Sequence, residues 1–209
     1  MDAKNAKIAG RNLTIILPGT WANIPLADEK TAHRFVKDVV RRRVGSDDRL
    51  ARLRAQTTDE VMHNVAEAVR IGVHTYLMSL ELLPGVPFPA AILMLDQPWP
   101  DRARPGLGAK DVSRALREGF PGGKELDLAC GPVLRITEMS QATVADAPLT
   151  VLRLEYHIPY PSLDKVLYAR ISVPNLPLAE QIIALFDEII DSIRFIGDDH
   201  DPQDVPTAD

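Results

Sequence analysis

The sequence predicts an α+β fold: a mainly antiparallel sheet with helices packed on it. Three observations carry that prediction. Apolar residues recur at helical spacing between residues 28 and 71, but in strand-like runs between 73 and 95 and again from 126 to 173. The strands neighbour one another along the chain, and the helices are grouped rather than alternating with them. With 209 residues, 45% of them hydrophobic, the chain can bury a sizeable core.

Leu13–Leu17 reads as a first strand, stopped by a turn at Pro18–Gly19. After Asp28 the apolar positions are Ala32, Phe35, Val36, Val39, Val40 and Val44, one helical stripe that ends at Gly45. Ser46 or Asp47 caps a second helix, with Leu50, Leu53, Val61, Val65 and Val69 inward and its end before Gly72. Two helices with so short a joint form an αα-hairpin, expected at the N-terminal end of the fold. Val73–Leu83 and Phe88–Leu95 read as strands separated by Pro84, Gly85 and Pro87. Residues 96–123 are rich in Pro and Gly, with one short helix over Ala109–Glu118. Strands resume at Leu126–Glu138, Leu149–Tyr160 and Lys165–Val173, and a C-terminal helix, Leu178–Ile190, runs into a last strand, "SIRFI". Residues 1–196 are expected to form a single α+β domain. The tail 197–209 is acidic and without an apolar anchor, so disorder is expected there.

The stretch "EYHIPYPSLDKVLY" gathers a histidine, three tyrosines and two carboxylates, and asks whether it is a reactive site or a hairpin. Leu152, Leu154, Tyr156 and Ile158 share one strand face, opposite Arg153, Glu155 and His157. Pairing residues whose numbers sum to 325 sets Tyr156 by Ala169, Leu154 by Ile171, Glu155 by Arg170 and His157 by Tyr168. A slip of one residue would lose every match at once. The loop is then Pro161–Asp164. On this reading His157 is a half-exposed strand residue packed on Tyr168, with Glu155 and Arg170 as a salt-bridging pair.

Composition excludes some functions. A formal net charge of -5 argues against a general nucleic-acid binder, which needs surplus Lys and Arg to displace counterions. A single cysteine, Cys130, permits no intramolecular disulfide and no multi-cysteine metal site, and suggests a reducing cytoplasm. The N-terminus is polar, without a signal-peptide core, and the longest apolar runs are strand-sized, so no membrane association is expected.

No catalytic residue, metal site or cofactor is expected. Glu60, His63 and Glu67 share one face of the second helix, but no second Glu-x-x-His pair completes a carboxylate-bridged metal site. "PGLGAKD", Pro105 to Asp111, lacks the third glycine of a dinucleotide loop. Cys130, among apolar neighbours, reads as a small hydrophobe. "RRRVGSDDRLARLR" is the more promising patch. Its arginines complement the dipole of the helix they end, yet as forked donors they also suit an acidic partner surface. Arg41, Arg42, Arg43, Arg49 and Arg52 are therefore candidate partner-binding residues, together with the loop around Trp99. Trp21 and Trp99 could each cap the core or line a cleft beside the 96–123 segment.

The opening "LTIILPGTWANIPL" and the ending "LFDEIIDSIRFI" together resemble the PsbP-like superfamily. That superfamily includes the photosystem II extrinsic subunit, a Ran-binding nuclear import factor and bacterial DcrB-type proteins. The resemblance implies a central antiparallel sheet, no shared catalytic residues, and action by binding other proteins, as the related chaperones of type VI secretion effectors do. The expected function is a non-enzymatic cytoplasmic protein that binds another protein, as adaptor, secretion chaperone or immunity protein. One alternative is a small-molecule binder or enzyme with a pocket at His157, Glu155 and Tyr168 beneath the 96–123 segment. The other is a structural homo-oligomer, such as a homodimer joined through an exposed sheet edge.

Overall fold

The structure, a computed structural model, describes residues 3–7, 13–106, 109–144, 147–174 and 178–196. Leu107 and Gly108 of the glycine loop and the tail from Gly197 lie outside the described residues. In chain order the elements are β1 (Ala3–Lys7), β2 (Leu13–Pro18), β3 (Thr20–Asn23), α1 (Glu29–Val44) and α2 (Ala51–Arg70). They continue with β4 (Thr75–Leu83), β5 (Val86–Pro87), β6 (Ala91–Pro98), α3 (Ala109–Gly119), β7 (Lys124–Leu128) and β8 (Gly131–Val144). Last come β9 (Ala147–Pro159), β10 (Lys165–Pro174), α4 (Ala179–Asp191) and β11 (Arg194–Phe195). This is an α+β fold.

The large sheet runs β3–β4–β6–β10–β9–β8–β7, with β5 attached to β4, and every pairing is antiparallel. A second antiparallel sheet joins β1, β2 and β11. Gly19 lets the chain cross from β2 into β3. Its φ is +78°, and a Cβ there would fall 2.1 Å from the Glu81 carbonyl oxygen, so no other residue fits.

Each face of the large sheet has its own cover. On one face Leu77, Ile92, Met94, Leu154, Tyr156 and Ile171 pack against Leu13 and Ile15 of the small sheet and against Phe186 and Ile190 of α4. Asp187 of α4 fastens this layer, accepting from the Tyr156 hydroxyl at 2.8 Å and from the buried Arg135 guanidinium. The opposite face has two separate covers. At the β4–β6 end α1 and α2 pack Val36, Val40, Val65 and Ala68 on Tyr76, Leu93 and Leu95. Towards β8, Val112, Ala115 and Leu116 of α3 pack on Leu134 and Val166.

The β9–β10 hairpin has the expected register, with Glu155 opposite Arg170 and His157 opposite Tyr168. Three expectations need correction. Residues 126–138 are not one strand: the chain turns at Ala129–Cys130 and leaves as β8 through Gly131 at φ +103°. The polar N-terminus contributes β1, and β3 follows directly after the turn at Gly19. Helix α2 buries Thr58, Val65 and Ala68, whereas Leu53 and Val69 are 50% and 48% exposed. The buried stripe runs through Val65 and Ala68, which share a cluster with Val36 and Val40 of α1 and Tyr76 of β4, leaving Leu53 and Val69 outside it.

Candidate functional site

The hairpin cluster is not a pocket. His157 is 5% exposed, and its ring stacks on Phe120 at 3.7 Å between centroids and lies 5.3 Å from the Tyr168 ring. Phe120 directly follows α3, the one helix of the Pro- and Gly-rich segment 96–123. The expectation of a half-exposed histidine is therefore corrected: α3 and Phe120 close over it. Burial drives the imidazole pKa down to about 4, and among the described residues its Nδ1 has no hydrogen-bond partner. An uncharged base under an aromatic lid, with no space above it, has no access to substrate.

The expected Glu155–Arg170 salt bridge does not form either. Burial raises the Tyr168 pKa, and the neighbouring Glu155 carboxylate raises it further. Arg153 pairs instead with Glu138 across β8, at 3.1 Å. That leaves Arg170, on β10, without an ion pair or hydrogen bond among the described residues, its Nε buried.

Trp99 needs the same correction. It is 3% exposed, in the cluster formed by Leu116, Leu134 and Val166, with Phe120 6.4 Å away, and so presents no surface to a partner. Trp21 is half-buried against the main core, and its indole donates to the Pro18 carbonyl at 2.8 Å. Cys130 is half-buried at its turn, with burial pushing its thiol up to about 11, which suppresses the thiolate.

The arginine-rich joint is exposed but not uniform. Asp28 caps the start of α1, accepting from the Thr31 amide at 2.8 Å, and Gly45 ends the helix. Arg43 reaches back to the Ser79 carbonyl of β4 at 3.3 Å, tying the helix to the sheet. Arg54 donates to the Gly45 and Asp47 carbonyls at 2.9 and 2.7 Å and so holds the joint closed. Among the described residues Arg41, Arg42, Arg49 and Arg52 make no ion pair. Between the two helices lies a concavity of about 340 Å³ lined by His33, Lys37 and Arg41 from α1 and by Arg54 and Asp59 from α2. The three α1 residues are spaced i, i+4, i+8, one row on a helix surface.

A larger groove, about 550 Å³, lies under the opposite flank of α2. Its floor is Tyr76, Ala91, Leu93, Arg170 and Ser172; its wall includes Asn64 and Glu67 of α2, Ile71 just past that helix, and Arg43 of α1. It exists because neither cover of this sheet face reaches the middle strands. Glu60, His63 and Glu67 are exposed on α2; Glu67 is held by Arg70 at 2.8 Å, which lowers its pKa. No three His, Cys, Asp or Glu converge as metal ligands among the described residues.

One polar cluster escaped the sequence reading. Asp96 accepts from the Tyr160 hydroxyl at 2.7 Å and Lys165 at 3.0 Å, and His74 Nε2 lies 3.3 Å away. Burial favours the neutral acid, but these donors outweigh it and hold Asp96 below the usual carboxylate range. His74 Nδ1 is in turn 2.8 Å from the Thr75 hydroxyl. The line hydroxyl, imidazole, carboxylate looks like a nucleophile relay, yet Thr75 is 1% exposed and no acyl group can reach it. The cluster instead joins β4, β6 and β10 at one end of the sheet. Only the folded register brings residues 74, 96, 160 and 165 together.

No protein-family profile and no curated protein sequence matches the chain. Among solved structures it is similar to the Saccharomyces cerevisiae Ran-binding protein Mog1p, at 10% identity and a TM-score of 0.47, over 94% of this chain and 96% of that one. It is also similar to a point mutant of the protein Mog1, at 10% identity and a TM-score of 0.48, over 94% and 97%. No helix among the described residues is long and apolar enough to cross a membrane.

Proposed function

We propose that this chain is a non-enzymatic protein-binding module, an adaptor, secretion chaperone or immunity-type protein, that engages an acidic patch on its partner through the α1–α2 hairpin. The supporting observation is the basic concavity between the two helices. His33, Lys37 and Arg41 face Arg54 across it, with Asp59 the only acid in its lining. Arg42, Arg49 and Arg52 extend the same charge around the joint, in a chain whose net charge is -5. Clustered like charges repel, and among the described residues no carboxylate forms an ion pair with Arg41, Arg42, Arg49 or Arg52. A partner carboxylate surface would relieve that repulsion and gain forked hydrogen bonds. Arg43 and Trp99 are left out of this surface, the first engaged with β4 and the second buried.

The test is recovery of a stoichiometric partner from the protein's own cells, with and without the triple change Arg41→Glu, Arg42→Glu, Arg52→Glu. The expected result is a partner that dissociates as salt is raised and that the triple variant fails to retain. Absence of any stoichiometric partner, or one that the triple variant retains unchanged, would overturn the proposal.

A further inference from the structure

Arg170 is the unexplained charge in this molecule. The two other arginines on neighbouring strands have carboxylates, Arg135 with Asp187 and Arg153 with Glu138. Arg170 faces Glu155 by register, but no ion pair joins the two among the described residues. Its Nε is buried without a partner, and its side chain is only partly exposed on the groove floor. A half-buried guanidinium without an anion is costly, and it is placed where an anion could enter.

The surroundings specify the anion. Beside Arg170 on the adjacent strand is Leu93 and, two residue pairs further on the same face, Ala91 opposite Ser172. Tyr76 pairs with Leu93 and continues the apolar floor. Glu67 on the α2 wall has its charge met by Arg70, so it does not oppose an anion. Two guanidiniums line the groove, but Arg43 already donates to the Ser79 carbonyl, so Arg170 is the fork left open above a mainly apolar floor. The volume of about 550 Å³ falls within the range of small-molecule sites. With Arg43 tied to Ser79, the one open fork matches a carboxylate, whereas a phosphate dianion demands more free donors than the groove supplies.

We infer that the groove under α2 binds an amphipathic organic carboxylate, its head group on Arg170 and its apolar body along Leu93, Ala91 and Tyr76. This site is separate from the basic concavity used for partner binding, and the two share no lining residue.

The test uses the full chain and sodium octanoate as probe, followed by isothermal titration calorimetry and amide chemical shifts. Octanol and inorganic phosphate are run in parallel. Octanoate should bind saturably with a Kd at or below about 1 mM, and Arg170→Met should weaken it about tenfold or more. Octanol and phosphate should bind at least about tenfold more weakly than octanoate. Asn64→Trp, an exposed change that fills the groove mouth, should abolish octanoate binding while the thermal transition stays in place. The inference fails if octanoate does not saturate by about 10 mM. Equal binding of octanol or phosphate overturns it, as does octanoate affinity unaffected by both substitutions.

Discussion

His157 and Arg170 lie on the same hairpin and the same sheet face, one row apart, yet one has been neutralised and the other keeps its charge unmet. The difference is what lies above them. Phe120 and α3 seal the row of His157, and the imidazole titrates near pH 4. The next row falls between the two helical covers, and Arg170 lines an open groove. A strand residue's cross-strand neighbours set its hydrogen bonding, but the layer packed over it sets its ionisation and its access to solvent.

The largest test removes the seal. Trp99→Ala should cost about 4 kcal/mol in urea unfolding, as a large aromatic deleted from a closed core does. A loss near zero would mean that the α3 cover contributes little. Next is the acid limb of His157. Below its unfolded pKa of 6.5 the denatured chain takes up a proton that the folded chain refuses until about pH 4. Stability therefore falls as pH drops from 6.5 to 4, by on the order of 3 kcal/mol, and this contribution is flat above 6.5. In His157→Phe, which keeps the ring stack, that part of the acid slope should vanish.

Arginines provide the smaller tests. Arg135→Met leaves Asp187 with only the Tyr156 hydroxyl and should cost about 2 kcal/mol in the same assay. Arg170→Met removes no ion pair and relieves an unmet half-buried charge, so stability should stay the same or rise by up to about 1 kcal/mol. If Arg170→Met proved as costly as Arg135→Met, Arg170 would be serving the fold, and the contrast between paired and unpaired arginines would collapse.

Much of the frame was legible along the chain. The register of residues 152–173 follows from alternation, because a one-residue slip would turn Leu152, Leu154 and Tyr156 out of the core. Asp28 and Gly45 bound α1 by their own chemistry. The turn at Ala129–Cys130 was missed because apolar residues flank it on both sides; the Gly131–Pro132 pair, with Gly131 at positive φ, was the available signal. Leu53 and Val69 misled because a helical stripe in sequence gives a direction only relative to a neighbour not yet placed. Among the candidate site residues, the exposure of Arg41, Arg42, Arg49 and Arg52 was legible, Trp99 took the core environment of the two open to it, and His157 is more buried than a strand face suggests.

By itself the sequence determined what depends on neighbours within a few residues: helix ends, strand alternation and the pairing of one hairpin. Burial and charge state depend on contacts between distant segments, and only the tertiary structure decided those. Phe120 comes to His157 from 37 positions away in the chain, Ser79 meets Arg43, and Asp96 is ringed by residues 74, 160 and 165. The open groove beside Arg170 is likewise a property of two covers that stop short of each other. No local pattern encodes a gap.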